Sequence, residues 1–187
     1  ARARAASSGR TALVEALRDR PAAAPIELAA LVAAEERPLE SADTILAEIE
    51  AQLDGLADAA RARLRLSGMV GADTSEPETV ATAVLTVLFG SSAPDDANEA
   101  FFKGNAADYY DPQNSFLDCV LRRRQGIPIT LSLVYLGTCR RLGLEMVGLN
   151  APAHLLLAPA DAEAPFVVDA FQGAILSTDD AAALVAR

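Results

Sequence analysis

The chain has 187 residues, the length of one domain or one and a half, which excludes long repeat arrays and large barrels. Hydrophobic residues make up 51% and charged residues 22%, enough apolar side chain for a core and too little charge for a disordered chain. The net charge of −10 repels phosphate backbones and anionic lipid heads, so neither nucleic acid nor a membrane surface is an expected partner.

In chain order, the opening ARARAASSGR is rich in Arg and has no apolar run, and residues 1–10 are read as a flexible end. From residue 11 to about 89 apolar residues recur at helical spacing. Between Ser41 and Leu66 the residues Ile45, Ile49, Leu53, Leu56, Ala60 and Leu64 step by three or four and form one stripe, which predicts a long amphipathic helix. A second helix is expected from Ser75 to Gly90, with Ser75 and Glu78 at capping-box spacing, Pro77 in the first turn and Val80, Val84, Val87 and Leu88 turned inward. The turn-rich SSAPDDAN, residues 91–98, divides a helical N-terminal part (11–98) from a core (99–187), the two packed as one unit.

Beyond that boundary, Asn114 or Ser115 can cap a short helix that carries Phe116, Leu117, Val120 and Leu121 and ends near Arg122, Arg123 and Arg124. Ile129 to Leu142 is apolar on nearly all sides and predicts a central buried helix, closed by Gly143, whose positively polarised start is also buried. Four short β-like runs follow, at Glu145–Leu149, His154–Leu157, Phe166–Asp169 and Ala174–Leu176, and then a last helix capped by Thr178. The fold class is therefore α+β, with a small antiparallel sheet on a central helix.

Few residues carry obvious chemistry. Cys119 and Cys139 are twenty residues apart, which fits neither a redox pair nor a zinc half-site, and a reducing cytoplasm is the simplest compartment. No stretch reaches the roughly 18 apolar residues of a membrane helix. His154, the only histidine, opens one strand and Asp169 ends the next, so an antiparallel pairing can set the carboxylate beside the imidazole. A lone His beside a strand is also a common structural residue. No metal or cofactor site is read from the sequence.

The string FKGNAADYYDPQNSFLDCVLRRRQGIPITLSLVYLGTCRRLGLEMVGLNAPAHLLL from Phe102, followed by VVDAFQG, resembles the SirB family of transglutaminase-like proteins. The densest match runs from about Phe101 to Leu176, on the pieces YYDPQNSFL, RRQGIPITLSLVYL, RRLGL, Pro152–His154 and Asp169–Gly173. The resemblance implies a papain-like, transglutaminase-like core: a central helix whose start bears the nucleophile in active relatives, on a sheet bearing His and Asp. His154 and Asp169 match the family's catalytic positions. Active relatives begin the helix with Gly-x-Cys, and counting back from Leu142 and Gly143 puts the nucleophile position at Pro128, where no cysteine stands.

Cys139 lies eleven residues further along the same helix, about 16 Å at 1.5 Å per residue, too far to replace the missing thiol. Thr130 and Ser132 are nearer the start and are the candidate hydroxyl substitutes. Tyr109, Tyr110, Asp111, Asn114 and Ser115 form a polar and aromatic cluster that the resemblance places near the helix start, either as turn and cap chemistry or as a ligand-facing rim with Tyr110, Asn114 and Ser115 as binding residues. Arg122–Arg124 read either as a solvated helix end or as a carboxylate-binding fork centred on Arg123. The expectation is a pseudoenzyme, a non-catalytic binding or regulatory module with a protein or peptide partner. The alternative is a hydrolase or acyltransferase on amide bonds, with Thr130, Ser132 or water as nucleophile and His154 as base.

Overall fold

The computed structural model describes residues 25–37, 40–66, 76–90, 101–152, 154–160 and 165–185. The expectations for residues 1–10, for Ser75 as a cap and for the boundary at 91–98 lie outside the described residues. Helices α1 (Pro25–Glu36), α2 (Ala42–Leu66) and α3 (Pro77–Phe89) come first. Then follow β1 (Lys103–Gly104), a 3₁₀ turn (Pro112–Ser115), α4 (Leu117–Arg123), β2 (Gln125–Gly126) and α5 (Pro128–Arg141). The chain closes with β3 (Met146–Ala151), β4 (His154–Pro159), β5 (Phe166–Asp169), β6 (Ala174–Ser177) and α6 (Thr178–Val185).

The stripe of α2 is buried as its spacing requires, from Ile45 through Ile49 and Leu53 to Ala60, and only Leu64 in the last turn is half-buried. Burying one such Leu or Ile contributes about 1.5–3 kcal/mol. In α3, Val80, Val84 and Leu88 are buried, with Ala81 and Ala83, while Val87 is half-buried. The N-cap is Glu76, without a side-chain hydrogen bond, and Pro77 occupies the first turn, where its missing N–H costs nothing.

Helix α5 runs through the middle of the molecule. Leu131, Val134, Tyr135 and Cys139 are buried in one core with Ile26 and Ala30 of α1, Ile49 and Leu53 of α2, Val84 of α3, Val120 of α4 and Leu157 and Val168 of the sheet. The Tyr135 hydroxyl donates to the Ala81 carbonyl at 2.8 Å, fastening α5 to α3. At the other end Arg141 is paired with Glu50 and, at 2.6 Å, with Asp54, both of α2. Gly143 follows the C-cap Leu142 with φ +81°, the left-handed conformation that ends a helix and favours glycine.

The four-stranded sheet is antiparallel, in the order β3-β4-β5-β6. Alternation splits its side chains: Leu157 and Val168 join the main core, while Leu156 and Val167 pack with Ala181 of α6 in a smaller cluster. The cap of α6 is Ser177, whose hydroxyl accepts from the Asp180 N–H at 3.1 Å, rather than Thr178, which is the first helical residue. A two-residue parallel pairing of β1 with β2 has no counterpart in the sequence reading.

Candidate functional site

The register that pairs Leu157 with Val168 puts Asp169 beside Leu156, and His154 two residues further along the same face. Strand ends thus bring the two side chains together, with His154 Nδ1 3.8 Å from Asp169 Oδ2. That is ion-pair distance and longer than a hydrogen bond. The Asp169 side chain is 6% exposed and its other oxygen, Oδ1, accepts from the N–H groups of Phe171 (2.9 Å) and Gln172 (3.0 Å). The carboxylate is thereby fixed by the turn that follows its own strand, leaving Oδ2 toward the imidazole. His154 is 29% exposed, and among the described residues no hydroxyl or thiol is hydrogen-bonded to it.

Helix α5 begins at Pro128, after the extended Ile127. Its first turn is open rather than buried, with Ile129 56% exposed, which corrects the expectation of a sealed helix start. Thr130 is committed to structure: its hydroxyl donates to the Asn114 carbonyl at 2.8 Å and accepts from the Ile127 N–H at 3.1 Å, closing the helix start in capping fashion. A nucleophilic hydroxyl must be free to pass its proton to a base, and this one is spent on two backbone groups. Ser132 is 2% exposed and its Oγ is buried without a hydrogen-bond partner.

Neither cysteine is activated. Burial pushes the Cys139 thiol up to about 12, and Cys139 is fully enclosed in the core. Burial, then the neighbouring Asp118 carboxylate, also raises Cys119, outweighing the arginines beside it.

The polar cluster before α4 is built around Asn114, which is fully buried. Its amide donates to the carbonyls of Asp108 (2.8 Å) and Tyr109 (3.2 Å), and its side-chain oxygen accepts from Asn105 at 3.1 Å. Asn114 therefore does not cap α4, whose N-cap is Phe116 without a side-chain hydrogen bond; the 3₁₀ turn Pro112–Ser115 intervenes. Ser115 does not cap it either and is exposed. Tyr110 is 91% exposed and meets Tyr109 edge-on at 5.4 Å between centroids.

The basic run is internally paired. Arg123 lies 2.6 Å from Asp111, and the Gln113 N–H, then Arg123, hold the Asp111 carboxyl below its usual range. Arg122 reaches Glu48 (2.6 Å) and Asp118 (2.7 Å), and Arg124 lies 4.8 Å over the Phe102 ring. Each guanidinium has a partner within the chain, so a carboxylate-binding fork is not assembled.

One feature had no signal in the sequence. Asp118, fully buried, lies between Arg122 and Arg37, the latter at 2.7 Å. Burial raises its carboxyl, but the two arginines outweigh that and hold it below the ordinary carboxylate value. Arg37 is 81 residues away in sequence, beyond any local pattern. Among the described residues no group of His, Cys, Asp and Glu could hold a metal ion, and no helix is long and apolar enough to cross a membrane.

The sequence profile of the transglutaminase-like superfamily matches residues 47–187. The human protein named F-box only protein 21 is 34% identical over 125 residues, covering 62% of this chain and 19% of its own length. A UPF0162 protein of Xylella fastidiosa is 39% identical over 72 residues, 38% of this chain and 26% of its own length. A UPF0162 protein of Vibrio cholerae is 39% identical over 79 residues, 41% and 28% respectively. The aligned part is thus under a third of each of these relatives. No solved structure matches.

Proposed function

The chain belongs to the transglutaminase-like superfamily, and we propose that within it this protein is a non-catalytic binding or regulatory module whose partner, a protein or peptide, docks around His154 and Asp169. The observation that carries the reading is the position expected for the nucleophile: Pro128 stands at the start of α5, and the hydroxyl nearest to it along the helix, Thr130, is held by Asn114 and Ile127. His154 and Asp169 supply a base and its orienting carboxylate, which serve recognition as well as catalysis. A hydrogen-bonding imidazole with 29% exposure can contact a partner without transferring a proton. Cytoplasmic location and a regulatory role belong to the same reading.

A second reading is an amide or ester hydrolase that uses Ser132, and one observation favours it. Ser132 Oγ is buried with no hydrogen-bond partner, one helical turn beyond Pro128 on the same face of α5. At 2% exposure a substrate carbonyl has no route to it without movement. The experiment is turnover of activated esters and a mixed peptide pool by the wild-type chain, His154→Ala and Ser132→Ala. The non-catalytic reading expects all three to match the buffer rate. Turnover lost with both substitutions establishes the second reading instead.

A further inference from the structure

Strand β3 (Met146–Ala151) is the edge of the four-stranded sheet, paired with β4 on one side and, among the described residues, with no strand on the other. The Ala160 N–H donates to the Glu145 carbonyl at 2.9 Å, and Glu145 stands opposite Ala160 in the register that pairs Met146 with Pro159. Hydrogen-bonded and non-hydrogen-bonded pairs alternate along an antiparallel ladder. Val147, Leu149 and Ala151 therefore turn their backbone groups toward β4, while Met146, Gly148 and Asn150 turn theirs outward.

Sheet edges are ordinarily blunted by charge, by proline or by a bulge. MVGLNA has no charged residue and no proline, and its residues pair one to one with β4, without a bulge. Val147 (45% exposed) and Leu149 (42%) project from the face on which Leu156, opposite Leu149, packs with Val167 and with Ala181 of α6. The smaller apolar cluster thus continues to the edge and ends there in solvent. Gly148, between the two, has no internal reason to be glycine: its φ is not positive, and a Cβ there would come no closer than 3.7 Å, to Leu155. Glycine within a strand also marks a place where another backbone approaches.

This edge is complementary to itself. A two-fold axis between facing Gly148 residues sets Met146 opposite the second copy's Asn150 and joins the outward groups in about six backbone hydrogen bonds. Val147 then faces the second copy's Leu149, and Leu149 the second copy's Val147, at the close spacing of non-hydrogen-bonded pairs, so the exposed side chains cover one another. Glu145, the charge next to the strand in sequence, meets Ala151 across the axis, and no like charges are opposed.

We propose that the chain forms a two-fold dimer in which β3 pairs antiparallel with the β3 of a second copy about Gly148, joining the two sheets into one. One strand edge with two apolar side chains per copy is smaller than the roughly 1,200–2,000 Å² of a stable interface, so the dimer is reversible, with a Kd of about 10–100 µM. The net charge of −10 on each copy opposes association, and salt screens it, so the dimer tightens as ionic strength rises.

The test is sedimentation equilibrium of the full chain from about 5 to 500 µM in about 0.03 M and 0.3 M salt. Val147→Lys/Leu149→Lys, Val147→Glu/Leu149→Glu and their equimolar mixture are run beside it. Both positions are exposed, so each variant should fold, as circular dichroism would show. Expected is a wild-type dimer that tightens with salt, and association weakened at least about tenfold in each variant alone, where like charges face each other twice. The lysine variant also lowers the overall repulsion, so its weakening reports the facing pairs. Mixing should restore association, because each introduced lysine then faces an introduced glutamate. A wild-type chain still monomeric at about 500 µM overturns the proposal and leaves the edge to a strand of another protein. A dimer indifferent to both double substitutions, or a mixture that associates no better than its components, overturns it as well.

Discussion

Asn114 offers the sharpest test of how the loop beside α5 is held. Replacing it by Ala removes three hydrogen bonds: two donated to Asp108 and Tyr109, and one accepted from Asn105. At about 1 kcal/mol net for each, with the Asn105 amide left buried and unsatisfied, the cost should be about 2–4 kcal/mol. Asn114→Asp makes a more specific demand. It keeps the acceptor toward Asn105 but sets a carboxylate, in a fully buried place, against two carbonyl oxygens that need a donor. Burial and those oxygens favour the protonated form, so the folded pKa rises above the unfolded value of about 3.9. The folded state then binds more protons than the unfolded state above that value, and stability falls as pH rises. Urea unfolding at pH 4.5 and pH 7 would read both effects. Asn114→Asp should be clearly less stable at pH 7 than at pH 4.5, relative to wild type, and Asn114→Ala should show no such difference. A cost below about 1 kcal/mol for Asn114→Ala, or an Asn114→Asp penalty indifferent to pH, would refute the reasoning.

Asp118→Ala should cost about 2–4 kcal/mol in urea unfolding, because it leaves the Arg37 guanidinium half-enclosed without its carboxylate; Arg122, largely in water, adds little. Since the folded Asp118 carboxyl is held low, its contribution is present above the unfolded value of about 3.9 and is lost as pH falls through the lower folded value, so wild type should lose stability faster than Asp118→Asn below about pH 4. Both native thiols should label slowly with a disulfide reagent at pH 7.5 until denaturant is added, given the upward shifts of Cys119 and Cys139; a fast native phase would count against the burial assigned to them.

The sequence discloses elements where periodicity is long or flanked by breakers. The α2 stripe, the apolar run of α5 and the four strands all lie within a few residues of their expected places, since burial on one face imposes a 3.6- or 2-residue period. The approach of His154 to Asp169 also follows from order alone, because antiparallel neighbours bring a strand start beside a strand end. What escaped depends on long-range partners. Asn114 has the chemistry of a cap, and only the fold shows its amide turned to Asp108 and Tyr109. Arg123 has the chemistry of a ligand fork, and only the fold supplies Asp111. The strands β1 and β2 are two residues each, too short to show any period.

The central proposal is that Pro128, at the start of α5, stands where active relatives carry the nucleophile, and that a thiol placed there would be served by His154 and Asp169. Pro128→Cys tests it most directly, since Cys can adopt the backbone of a first helical turn and the restored N–H there needs no partner. Helix-end N–H groups and an oriented imidazole both favour thiolate, lowering the pKa from about 8.5 into the range of roughly 3.5–7.5. The measurement is the rate of iodoacetamide labelling at pH 6 in Pro128→Cys, alone and with His154→Ala. The account predicts labelling far faster than at Cys119 or Cys139 and markedly slowed when His154 is removed. A new thiol that labels like an ordinary cysteine, whether or not His154 is present, contradicts it.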